Sequence, residues 1–250
     1  MSKLFILLLA ITLLLVSCAS SAQFDDAPTS IINTSTDSND EFIDKIIFLG
    51  ESTTYHLKSR GVLKDGKNTL QVWAPKSGTL MLDTGICECR IIFPDTGEEL
   101  ELSEALKKKQ PEYMMLTFGL NGATAFINRG KEYLKLCYQK LTDTIIAASP
   151  DTEIYINSCF PIAKNMDMSS YKIDAKTLNS YIDTINSWAY EFAIKNGFIY
   201  IDTSSLLKDE NGYLCKEYQM EDGFHLNTSA YQVILNKIKN INSKGDLHES

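Results

Sequence analysis

The stretch Lys45-Ile46-Ile47-Phe48-Leu49-Gly50-Glu51-Ser52 decides the fold. Residues 45–49 form a short, almost unbroken apolar run that stops at a glycine. Such a run is what a strand buried on both faces requires, because neither set of alternating side chains meets water. Residues 111–119, 153–157 and 198–202 repeat the form. Between them apolar residues recur at helical spacing, first as Leu134, Leu141, Ile145 and Ala148. They recur again as Leu178, Ile182, Ile185, Trp188, Ala189 and Phe192, a series that Gly197 stops. Residues 228–241 read as a closing helix with Asn227 as its N-cap. Strands alternating with helices of this length predict an α/β domain with a parallel sheet covered on both faces. Residues 64–101 are less regular, with β-like runs at 70–73, 79–82 and 90–93, and read as an edge or insertion of the same domain.

Outward from that core, composition removes several classes. The chain of 250 residues has 24 Lys and Arg against 32 Asp and Glu, a net charge of −8. Nucleic-acid binding rests on clustered cations, so this balance argues against it. Hydrophobic residues at 44% are too many for wholesale disorder. Thirteen glycines and six prolines exclude collagen-like and proline-rich chains.

The N-terminus reads as an address. Lys3 precedes an apolar stretch, residues 4–16, broken only by Thr12 and followed by small residues. That is the pattern of a secretory signal, and it is short for a membrane-spanning helix. Leu15-Val16-Ser17-Cys18 resembles the bacterial lipobox. The resemblance implies removal of residues 1–17, lipid on Cys18 and an extracytoplasmic, membrane-anchored protein. Residues 18–42, rich in Ser, Thr, Asp and Asn, then read as a flexible tether, 43–242 as the domain and 243–250 as a polar tail. Five cysteines follow Cys18: Cys87, Cys89, Cys137, Cys159 and Cys215. An odd, scattered set is no disulfide framework, and histidine is too scarce for a metal site, so they read as small buried thiols.

Chemistry is expected where parallel strands end. Three segments stand there: Gly50-Glu51-Ser52, Gly119-Leu120-Asn121-Gly122 and Asp222-Gly223-Phe224-His225. Acyl transfer by a serine needs a nucleophile, a base, a carboxylate to orient the base, and donors for the oxyanion. Ser52 opens a helix running to about Ser59, where its own N–H has no intrahelical acceptor. Of three histidines, His248 lies in the tail and His56 has no evident carboxylate, while His225 has Asp222 three residues before it. Asn121, between glycines at a strand end, can aim its amide at an oxyanion.

These blocks resemble those of the SGNH hydrolases, the GDSL-type esterase and lipase family, over roughly residues 43–242. The resemblance implies a three-layer α/β/α sandwich with a flavodoxin-like parallel sheet, and ester hydrolysis without metal or other cofactor. It implies Ser52 as nucleophile, His225 as base, Asp222 as its orienting carboxylate, and Ser52 N–H and Asn121 as oxyanion donors. A glycine after the second strand would be a further donor, Gly78, with Gly85 as the alternative. Two positions depart from the family: Glu51 stands for the usual Asp, and Gly122 for the Asp after Asn. The expected activity is that of a lipid-anchored serine esterase acting on small or carbohydrate-borne carboxylic esters, O-acetyl groups included. The alternative is an SGNH-fold lipoprotein, weakened at those two positions, that binds glycans or acts as a scaffold.

Overall fold

The structure, a computed structural model, describes residues 41–242. The signal segment, Cys18, nearly all of the tether, His248 and the tail lie outside the described residues. Five parallel strands make the central sheet: β1 (Ile46–Gly50), β2 (Val72–Trp73), β5 (Tyr113–Thr117), β6 (Glu153–Asn157) and β7 (Ile199–Ile201). Their spatial order is β2-β1-β5-β6-β7. A separate antiparallel pair, β3 (Arg90–Ile92) and β4 (Glu99–Glu101), lies in the irregular region.

The alternation of side chains along each strand divides the core in two. Ile47 and Leu49 of β1, Met114 and Leu116 of β5, and Ile154 and Ile156 of β6 join one buried cluster. Ile46, Phe48, Met115 and Tyr155 join the other. The first cluster is roofed by α2 (Leu102–Lys109), α3 (Ala123–Arg129), α4 (Lys131–Ala148) and α5 (Ala175–Asn196). The second is covered by α1 (Ser52–Ser59) and α6 (Thr228–Asn242). The result is a three-layer α/β/α sandwich, and the central strands are largely apolar because both faces are covered.

Three local features differ from the expectation. Residues 79–82 form no strand: the segment makes one backbone bond, from Leu80 N–H to the Gly50 carbonyl at 3.2 Å, as it passes the end of β1. Strand β4 emerges at the end of the stretch read as irregular, and helix α2 directly after it, where no element was read from the sequence. A capping box closes the start of α2, with Glu101 and Glu104 each accepting from the other's backbone N–H. All five cysteines of the domain are free thiols, but only Cys137 and Cys159 are fully buried.

The register sets the stage for the site. Gly50 pairs with Thr117, Thr117 with Asn157, and Asn157 with Ile201, so the carboxyl ends of β1, β5, β6 and β7 align along one edge. Ser52, Asn121 and Ser158 all leave the sheet there.

Candidate active site

Ser52 is the first residue of α1, entered directly from β1. Its side chain does not cap the helix; Glu51 holds the N-cap position. As first helical residue, Ser52 presents its N–H at the positive end of the helix. The hydroxyl Oγ of Ser52 lies 3.1 Å from His225 Nε2. On the far side of the ring, His225 Nδ1 lies 2.7 Å from Asp222 Oδ2. The three residues thus form one continuous relay, although Ser52 and His225 are 173 positions apart.

The loop carrying Asp222 and His225 is held from several directions. Asp222 Oδ1 accepts the N–H groups of Phe224 and His225, each at 2.9 Å. Met220 N–H donates to the His225 carbonyl, and Ala163 N–H to that of Gly223. The Phe224 ring stands edge-on to His225, centroids 5.0 Å apart. From α6, the Tyr231 hydroxyl donates to the Thr53 carbonyl at 2.7 Å, tying that helix to the turn that bears Ser52. Partial burial pushes the Asp222 carboxyl up, but hydrogen bonds from His225 and Phe224 outweigh it and hold it at about 2. Asp222 is therefore an anion throughout the neutral range, as an orienting carboxylate must be.

Glu51 explains how the next loop is placed. Its side chain is 2% exposed and lies under the loop after β5. One carboxyl oxygen accepts Gly119 N–H at 3.0 Å and Asn121 N–H at 3.1 Å. Burial raises this carboxyl to about 7, against the opposing pull of those amides. The residue before the serine thus holds the loop that carries Asn121. Gly119 has φ +130, and a side chain there would meet Ile185 Cγ2 at 2.9 Å and Cys159 Sγ at 3.2 Å. Asn121 Nδ2 donates to Thr79 Oγ1 at 3.2 Å, which fixes its amide and leaves its second N–H to donate elsewhere. Thr79 went unnoticed in the sequence, because the partnership joins segments 42 residues apart.

Gly122 also has a physical reason. A Cβ at this position would lie 2.7 Å from the ring of Phe126, which is buried beneath it. The family's Asp would need that ring to move. The glycines weighed as further oxyanion donors require correction. Gly78 N–H closes a turn onto the Pro75 carbonyl at 2.9 Å, and Gly85 N–H donates to Asp83 Oδ1 at 2.7 Å. Both amides are spent, so neither is free to donate.

His56 lies on the inner side of the site rather than in the relay. Its ring packs on that of His225, centroids 4.5 Å apart. Its Nδ1 is buried with no hydrogen-bond partner among the described residues. Burial first, then the electrostatic influence of His225 and Arg60, lower it to about 4, so it is neutral near pH 7.

A profile of the GDSL-like lipase/acylhydrolase family matches residues 48–233, a span that encloses Ser52, Asn121, Asp222 and His225. The chain belongs to this family. Solved structures extend the likeness of fold. A GDSL-like lipase from Bacteroides thetaiotaomicron VPI-5482 is similar at 14% identity and TM-score 0.50, over 81% of this chain and 89% of that one. A carbohydrate esterase family 3 protein from Talaromyces cellulolyticus is similar at 13% identity and TM-score 0.50, over 78% and 94%. At these identities they speak for the GDSL-type α/β fold alone. No curated protein sequence matches this one.

Proposed function

We propose that the chain is a serine esterase, held outside the cytoplasm by lipid on Cys18, that hydrolyses carboxylic esters through an acyl-enzyme. The observation that carries the reading is the relay from Ser52 Oγ to His225 Nε2 at 3.1 Å and from His225 Nδ1 to Asp222 at 2.7 Å. In the first half-reaction His225 Nε2 takes the Ser52 proton as Oγ attacks the ester carbonyl carbon. The oxyanion that forms accepts from Ser52 N–H and from the second N–H of Asn121 Nδ2. Asp222 stabilises the imidazolium without taking its proton. Collapse expels the alcohol, which leaves with the proton from His225, and the acyl group stays on Ser52. In the second half-reaction His225 deprotonates a water that attacks the acyl carbon. The acid departs, and the proton returns to Ser52 Oγ.

The departures at Glu51 and Gly122 fit an active site, because the first anchors the Asn121 loop and the second makes room for Phe126. The substrate class we favour is an O-acetyl or other short acyl ester on carbohydrate, from the expected surface location. The test is turnover of p-nitrophenyl acetate, butyrate and octanoate by the purified protein, with and without a serine-reactive fluorophosphonate. Turnover abolished by labelling of Ser52 is the expected result. A folded protein that turns over none of the esters and takes no label is instead a binding or scaffold lipoprotein.

A further inference from the structure

A second concave site lies at the outer edge of the sheet, between α5 and the segment that leaves β7. It is a cleft of about 260 Å³. Its wall on α5 carries Asn186, Ser187 and Tyr190, and its wall on the β7 side carries Tyr200, Asp202 and Ser204. None of these residues belongs to the relay at Ser52. Strand β7 is three strands from β1, so the cleft lies about 14 Å across the sheet from the strand that delivers Ser52.

The lining is unusual in having polar groups left over. Ser204 is 2% exposed, yet its hydroxyl has no hydrogen-bond partner among the described residues. A buried hydroxyl without a partner is costly, and Ser204 is part of the cleft lining. Asp202 uses Oδ1 to accept from Ser158 Oγ and Ser205 N–H, which fixes the carboxylate and leaves Oδ2 open. The Asn186 side-chain amide accepts the Cys159 backbone N–H at its Oδ1 and donates from Nδ2 to the Cys159 carbonyl, so that wall is rigid. Tyr190 is 45% exposed and stands edge-on to Tyr200, centroids 5.4 Å apart. Asp183 and Lys208 at the rim form an ion pair and cancel, which leaves Asp202 as the uncompensated charge.

An exposed phenol ring, a fixed carboxylate and unpaired hydroxyls suit a ligand that has both C–H faces and many hydroxyl groups. The surplus negative charge disfavours phosphates, sulfates and uronic acids. The volume holds one ring rather than a long chain. We propose that this cleft is a subsite for one neutral sugar residue of a glycan, remote from the residue whose ester Ser52 would attack. The use of the cleft rests on the esterase reading, but sugar binding itself does not.

The experiment is ¹H–¹⁵N NMR titration of the purified full-length protein with xylotriose, chitotriose and maltotriose, repeated on Ser52→Ala, Ser187→Trp and Tyr190→Ala. Ser187 is exposed on α5, so a Trp there fills the cleft without entering the core. The expected result is saturable shifts in the cleft for at least one trisaccharide, retained in Ser52→Ala and abolished in Ser187→Trp. Tyr190→Ala should weaken binding roughly fivefold or more. Circular dichroism confirms that each variant is folded. Absence of cleft shifts with all three sugars overturns the proposal, as does binding that survives Ser187→Trp. If wild-type protein binds sugar yet turns over no p-nitrophenyl ester, the cleft stands and the esterase reading fails.

Discussion

At the scale of single residues, the two neighbouring histidines have different fates because only one has a carboxylate. His225 is oriented by Asp222, whereas His56 merely packs on its ring. His225→Ala should cost about 10²- to 10⁴-fold in kcat, the usual worth of a general base. His56→Ala should cost far less in steady-state turnover of a short ester, and the reverse ranking would move the base. Asn121 makes a sharper prediction. A donor that strengthens as the carbonyl oxygen gains charge supports kcat and leaves KM nearly alone. Asn121→Ala should therefore lower kcat about 10²- to 10³-fold, and Asn121→Asp should do no better, since a carboxylate repels the forming oxyanion. Thr79→Val removes the acceptor that orients the amide, and should lower kcat by less than Asn121→Ala with KM unchanged. A fall in kcat below about threefold in folded Asn121→Ala would remove Asn121 from the site, against the loss expected for such a donor.

At the scale of elements, α3 shows why restoring a family residue need not restore anything. Gly122 is its N-cap, a position where Asp is ordinarily favourable. Here any Cβ meets the buried Phe126 ring at 2.7 Å. Gly122→Asp should thus destabilise by about 1–3 kcal/mol, the cost of forcing extra atoms into packed space. Urea denaturation checks this, and Gly122→Asp combined with Phe126→Leu should recover part of the loss. The same contrast between local and distant causes sets what was legible in the sequence. Strands β1 and β6 were readable because burial on both faces leaves a continuous apolar run, and α5 because its stripe ends at Gly197. Helix α2 was passed over, since Leu102 to Leu106 is too short a stripe to stand out; its signals were the Glu101 and Glu104 box and Lys107, Lys108 and Lys109 in its last turn. Ser52, Asp222 and His225 were legible because each sits in a compact local motif. The grip of Glu51 on the Asn121 loop was not, because it joins residues 70 positions apart. Nor could spacing reveal that the Gly78 amide turns back onto Pro75.

At the scale of the whole molecule, buried Glu51 and half-buried His56 set opposing pH dependences. Glu51 is raised from 4.5 to about 7, so its contribution to stability is full below pH 4.5 and is lost as pH rises through 7. His56 is lowered from 6.5 to about 4, so its contribution is present above pH 6.5 and lost as pH falls through 4. Between pH 4.5 and 6.5 the two oppose each other. Asp222 acts at lower pH, between 3.8 and about 2. Glu51→Gln should unmask a stability that rises with pH across the window of His56. His56→Gln should unmask one that falls by about 3 kcal/mol between pH 4.5 and 7, from Glu51. Chemical denaturation at several pH values decides it, and slopes of the same sign in both variants would refute the assignment. The proposed tether has its own test. Cys18→Ala should abolish incorporation of a fatty-acid analogue, and persistent label would refute lipid on that residue. Finally, the separation of 173 positions between Ser52 and His225 would make turnover a clock for assembly. In the proposed mechanism, a chain emerging from a ribosome holds its nucleophile well before it receives its base. On the proposed mechanism, a partial product without His225 is inert towards esters, and recovery of activity on refolding times the docking of α6.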